Sequence, residues 1–105
     1  MNNDRFSEII ENQIATINST LLQKQSEYAN EDRLHNFRVA AEIQNCTMEE
    51  ALAGMLCKHT VSLYDMIRSK KLYTTDKWDE KINDHIIYLL LLRAIVDETN
   101  YGEDD

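Results

Sequence analysis

From Phe6 to Leu22, the apolar residues fall at Phe6, Ile9, Ile10, Ile14, Ile17, Leu21 and Leu22. Steps of three and four mark one stripe of an amphipathic helix. Polar residues hold the remaining circumference, which predicts an outer helix packed on one side. A shorter helix is expected from about Glu31 to Gln44, with Asn30 as its N-cap and Leu34, Phe37, Ala41 and Ile43 facing inward. It should stop near Asn45-Cys46, because Thr47-Met48-Glu49-Glu50 has the form of a capping box.

That box opens a third helix to about Ser69, with Met48, Leu52, Met55, Leu56, Leu63, Met66 and Ile67 inward. The stretch "KKLYTTD" reads as a polar connector, and Asp76 as the cap of a fourth helix running to about Thr99. Its main stripe is Trp78, Ile82, Ile86, Leu89, Leu92 and Val96, with Ile87, Leu90, Leu91 and Ile95 lying off it. A helix apolar on so much of its circumference is central, or takes cover from another subunit. That surplus predicts a homo-oligomer, a dimer built on the third and fourth helices.

Composition narrows the fold to one class. The chain has 105 residues, no proline and two glycines, Gly54 and Gly102, so the tight turns of a sandwich or barrel have little to build them. The expected fold is all-α, a four-helix, bundle-like single domain over residues 1–105, with an acidic, disordered tail from about 100 to 105. The formal charge of −8 disfavours direct nucleic-acid binding or an anionic membrane. It suits cation binding, docking on a basic protein surface, or plain solubility. Two cysteines, Cys46 and Cys57, and an opening "MNNDRFSEII" without an apolar signal run point to free thiols in a reducing cytosol. "IIYLLLLRAIV" is too short to span a bilayer and contains Arg93.

Several polar residues stand where a dry stripe is expected. On the fourth helix Glu80, Asp84, Tyr88, Leu91 and Ile95 share a face, so two carboxylates one turn apart begin an apolar run. Oxygen ligands so placed suit magnesium or manganese, which bind a few carboxylates and keep several waters for a phosphate to displace. Solvated acids complementing the helix dipole explain the same pair. On the third helix, Lys58 suits a phosphate and Asp65 a metal, while His59 is otherwise a satisfied core histidine and Lys58 a snorkelling lysine. Within "SEYANEDRLHNF", Asp32 and Asn36 lie one turn apart, as a polar turn or as the wall of a site. The chain has no i,i+4 histidine pair, no phosphate-cradling glycine loop, no G-x-S-x-G and no C-x-x-C.

Taken in order, "KQSEYANEDRLHNFRVAA", "EEALAGMLCKHTVSLYDMI" and "WDEKINDHIIYLLLLRA" resemble a family of small phage and prophage proteins, the nucleotide modification associated domain group. The resemblance covers about Lys24 to Glu98. It matches Lys24, Tyr28, Asp32, Asn36, Phe37, Lys58, Asp84 and Tyr88 to the group's motif positions. The last helix is also similar to the second motif of MazG-like all-α nucleotide pyrophosphatases. There an acid pair and a downstream Asp hold magnesium; here Glu80 and Asp84 match, and Lys81 stands at the usual second acid. Glu27, Glu31 and Asp32 are the nearest substitutes for the first-motif glutamates.

The resemblance implies a nucleotide-binding protein in the cytoplasm of a bacterial host cell. Asp32, Asp65, Glu80 and Asp84 would share magnesium, and Lys58 and Lys24 would hold phosphate. Asn36 would line the site, with Tyr28 or Tyr88 against base or sugar. Magnesium-dependent hydrolysis of a nucleoside triphosphate is the activity it implies, and MazG-like proteins assemble as dimers or tetramers. The alternative is a non-enzymatic acidic accessory protein docking on a basic host surface, such as an inhibitor of a CRISPR-type defence complex.

Overall fold

Asn2 starts the chain's first helix by accepting a hydrogen bond from the Arg5 amide at 2.8 Å through its side chain. In the computed structural model, which describes residues 1–27 and 32–100 (side chains for 1–23 and 32–100), α1 spans Asn3–Glu27. It is longer at both ends than its apolar stripe, because an asparagine cap upstream satisfies the first turn. The expected Asn30 cap, Glu31 and the tail beyond residue 100 lie outside the described residues. Three further helices follow: α2 at His35–Gln44, α3 at Met48–Arg68 and α4 at Thr75–Asn100. The fold is all-α and bundle-like, with no strand among the described residues.

Contacts divide the chain into two units, Met1–Arg33 and Leu34–Asp105. In the first, Ile17 is buried, whereas Phe6, Ile9, Ile10, Ile14 and Leu22 of the expected inward stripe are exposed. An exposed Arg5–Glu8 pair at 3.2 Å and the hydroxyls of Thr16 and Thr20, which donate to carbonyls one turn back, are local to α1.

The second unit is built from α2, α3 and α4, with α3 packed against both neighbours. Leu34, Phe37, Leu52 and Ile95 form its buried core, and Met48, Met55, Leu56, Tyr88, Leu91 and Leu92 pack around them. Leu52 and Ile95 lose nearly all exposure, and each such burial stabilises by about 1.5–3 kcal/mol. Two tight connections aim the helices. Asn45 adopts the left-handed conformation at φ 53°, and Cys46 N–H donates to the Ala41 carbonyl, closing α2 in a Schellman turn. Thr47 and Glu50 then exchange hydrogen bonds at 3.1 Å, the capping box its sequence announced.

Three inward assignments are corrected by this packing. Ile43 at 78% exposure and Ile67 at 59% face solvent, one beside the end of α2 and the other beyond the buried Met66. On α4 the buried residues are Ile87 and Ile95, while Ile82 and Leu89 of the expected main stripe are exposed. A helix apolar almost all round has no inward face of its own, and the neighbour decides. Thr74, not Asp76, caps α4: its hydroxyl accepts from Lys77 N–H at 3.2 Å, and Asp76 complements the dipole inside the first turn. Arg38 of α2 pairs with Glu98 at the far end of α4.

Candidate functional site

Helices α3 and α4 run antiparallel, since Leu52 shares the core with Ile95 while Thr60 meets His85 two turns farther along α3. Along this seam the contacts change from apolar to polar. His85 bridges the helices: its Nδ1 lies 3.1 Å from the Lys81 carbonyl and its Nε2 3.1 Å from Thr60 Oγ1. A carbonyl only accepts, so Nδ1 carries a proton. One residue earlier on each helix, His59 Nδ1 lies 3.6 Å from Asp84 Oδ2, and the His59 ring sits 5.0 Å from the Tyr88 ring at 44°. Asp84 and Tyr88 are one turn apart on α4, so acid and aromatic ring hold the same imidazole from two sides.

Beside this cluster the surface opens into a groove of about 470 Å³, lined by Gln44, Ala51, Gly54, Met55, Lys58, His59 and Tyr88. The volume falls in the range of small-molecule sites. Three features define its chemistry. First, Lys58 and His59 supply two groups able to carry positive charge, and no carboxylate lines the groove, although the chain carries 19 acids. Secondly, Met55, Ala51 and the Tyr88 ring give an apolar wall beside the charge. Thirdly, Gly54 leaves the α3 backbone bare at mid-groove: a Cβ built there meets nothing within 4 Å. With Nδ1 turned to Asp84, His59 presents Nε2 as its other ring nitrogen, a donor or an acceptor according to its protonation.

No protein-family model, curated protein or solved structure matches this chain.

The residues singled out by sequence divide sharply. Lys58 and Tyr88 come together in the groove, and Asp84 stands behind it against His59. Asn36 is exposed on α2 and is not among the lining residues. Asp65 and Glu80 are exposed on α3 and α4. Asp32 is exposed in the first unit, Tyr28 lies outside the described residues, and Lys24 is described only in its backbone. Among the described residues no three His, Cys, Asp or Glu side chains come together as a metal-holding group. Asp65, Glu80 and Asp84 are therefore not gathered into one such group. Glu80 lies one turn before Asp84, near the exposed start of α4, while Asp84 turns to an imidazole.

Of the lining residues, Gln44, Ala51 and Gly54 were passed over by sequence reasoning, while Met55 was read as core and His59 as a satisfied core histidine. For Gly54 a signal was present: glycine inside a long helix costs about 0.8–1.0 kcal/mol against alanine, and here no packing neighbour requires it.

Proposed function

We propose that this groove binds a nucleotide, with Lys58 on the phosphate and Tyr88 and Met55 against base or sugar. The observation that carries the reading is the groove's charge. In a protein of net charge −8, it is lined by a lysine and a histidine and by no acid. An anionic ligand with a planar, partly apolar body matches that lining. Lys58 has no ion-pair partner among the described residues, so a phosphate would meet an ammonium that needs no prior separation from a carboxylate. Asp84 serves the site by fixing the His59 ring, which leaves Nε2 for the ligand. The motif resemblance over Lys24 to Glu98 supports the same ligand class. The proposal is one of binding and assigns no catalytic residue.

The test is nuclear magnetic resonance titration of the full chain with nucleosides and nucleotides. Shifts should centre on Gly54, Lys58, His59 and Tyr88. Lys58→Ala should weaken nucleotide binding by about tenfold or more, the scale of a charge-assisted hydrogen bond, and leave nucleoside binding nearly unchanged. Equal loss for both would remove Lys58 from the phosphate. No shift in this group with any nucleotide would sink the reading.

A second reading, association with another protein, has its own observation. Phe6, Ile9, Ile10, Ile14 and Leu22 of α1 are exposed, as are Val61, Tyr64 and Ile67 of α3 and Leu89 and Leu90 of α4. Such surface is costly to leave in water. A second copy joined through α3 and α4 is the occupant we favour, and light scattering decides it. A basic host surface is the other occupant, and its affinity would fall as salt rises. No described helix is long and apolar enough to cross a membrane.

A further inference from the structure

We propose that a second copy of this chain docks antiparallel along the α3–α4 hairpin, so that the basic turn end of each copy meets the acidic open end of the other. The proposal rests on the second-copy reading above and deepens it by fixing which surfaces meet.

Charge is segregated along the hairpin. Around the turn, from Arg68 to Trp78, stand Arg68, Lys70, Lys71 and Lys77 with one acid, Asp76, a net charge of +3 in a chain of −8. All four cations are exposed, and none is in an ion pair among the described residues. The turn is tied at both ends: the Ser69 hydroxyl accepts from Lys71 N–H at 3.0 Å, and the Thr74 hydroxyl from Lys77 N–H at 3.2 Å. Between these ties Leu72 is wholly exposed. Asp65, Asp79 and Glu80 border the patch, so its positive sign belongs to the turn itself. An extended polyanion laid on the turn would run on to those acids, whereas the short acidic end of another hairpin would not.

That acidic end is present in the same chain. From Arg93 to Asp105 the sequence holds five acids against Arg93 alone, a net charge of −4, and Glu49 and Glu50 open α3 at the same end of the hairpin. Asp97 meets Arg93 at 3.3 Å and Glu98 meets Arg38, yet both carboxylates stay open to solvent and to a further cation. Two hairpins side by side in parallel would set +3 against +3 and −4 against −4. The antiparallel arrangement sets each turn against an acidic end, twice over by the two-fold symmetry of the pair.

Apolar surface between the ends lies on one side. Consecutive helical residues point about 100° apart, so the contacts His59–Asp84 and Thr60–His85 straddle the α3–α4 seam. His59 lines the groove with Gln44 of α2, which leaves Thr60 and His85 toward the side away from α2. Tyr64 lies one turn beyond Thr60, and Ile82 and Leu89 lie one turn to either side of His85. All three are exposed, as is Val61 beside Thr60. Size sets the overlap. The 21 residues of α3 run about 32 Å, and two helices side by side are about 20 Å wide. That footprint is roughly 600 Å² per copy, or about 1,200 Å² in all, the lower end for a stable specific interface. Only a fully overlapped pair reaches it, and full overlap sets each turn against an end of the partner hairpin.

The experiment is analytical ultracentrifugation of the full chain and two variants, with circular dichroism confirming equal helicity. Lys70→Glu with Lys71→Glu reverses the turn, and Asp97→Lys with Glu103→Lys reverses the open end. The expected result is a dimer of the unaltered chain that loosens as salt rises. Each variant alone should have a Kd at least about tenfold higher, since its symmetric dimer carries four reversed charges, each worth a few-fold at a surface. Mixed in equal amounts, the two variants should pair with each other to within about threefold of the unaltered affinity, because both ends are again complementary. A parallel pair has the opposite signs: salt tightens it, and so does Lys70→Glu with Lys71→Glu. Either tightening, or a mixture no tighter than its parts, overturns the docking mode and leaves the second-copy reading standing. A mass of 12.3 kDa for the unaltered chain at micromolar concentration removes both and leaves the face to a different protein.

Discussion

Gly54→Ala should make the protein more stable and its groove less able to bind. Gly54 lies in the interior of α3, where φ is not positive, so alanine meets no backbone strain. A Cβ there finds no atom within 4 Å, so packing neither gains nor loses. What remains is the intrinsic difference between the two residues in a helix, about 0.8–1.0 kcal/mol in favour of alanine. Part of it comes from the smaller entropy of the unfolded chain. At about 4–8 °C per kcal/mol for a domain of this size, the melting temperature should rise by roughly 3–8 °C. Circular dichroism at 222 nm during heating reads it directly. Gly54 also lines the groove, so the added methyl group should lower affinity for the proposed nucleotide by up to about tenfold, the usual scale for one misplaced carbon. A lower melting temperature would show that α3 is approached there by something the geometry lacks. A higher melting temperature with unchanged affinity would refute the assignment of Gly54 to the ligand.

Two further outcomes test the packing. Leu90→Glu alters a side chain 43% exposed and should shift any dimer toward monomer with little loss of stability, whereas Leu91→Glu places a charge against the core and should lower stability strongly. Light scattering at micromolar concentration that finds the 12.3 kDa of one chain for the unaltered protein would defeat the dimer. Ile95→Ala, at 0% exposure, should cost about 2–5 kcal/mol in urea unfolding, while Leu72→Ala, fully exposed in the connector, should stay within about 0.5 kcal/mol. Comparable losses for the two would refute the core described above.

Local chemistry was the legible part of this sequence. Thr47 and Glu50 declare a helix start through their spacing alone, because both halves of the bond lie within four residues. Asn45 likewise marks the end of α2, being a residue that tolerates φ 53° better than most. Asp76 misled for the same local reason. It and Thr74 are both good caps, and the choice between them turned on which hydroxyl or carboxylate the chain brings under Lys77 N–H. Inward faces were less legible where a helix offers apolar residues in several directions. On α2 Phe37 and Ala41, one turn apart, were read correctly and only Ile43 was misplaced, whereas on α4 Leu89 and Ile95 were equal in kind and only the position of α3 separated them.

The polar face of α4 shows why a site can be half visible. Asp84 and Tyr88 stood out because they interrupt an apolar period, and that interruption does mark the face that packs on α3. Sequence spacing could pair Asp84 only with residues of its own helix, so Glu80 one turn away became its companion and a shared cation the way to relieve their repulsion. Across the seam lay a different companion, His59, whose distance along the chain hides it from any periodic argument. Once His59 occupies Asp84, the role of the acid reverses. It lies against an imidazole on the neighbouring helix and is not among the residues that line the groove. In the binding we propose, Asp84 is engaged by an imidazole and absent from the groove lining, where Lys58 would face an anion.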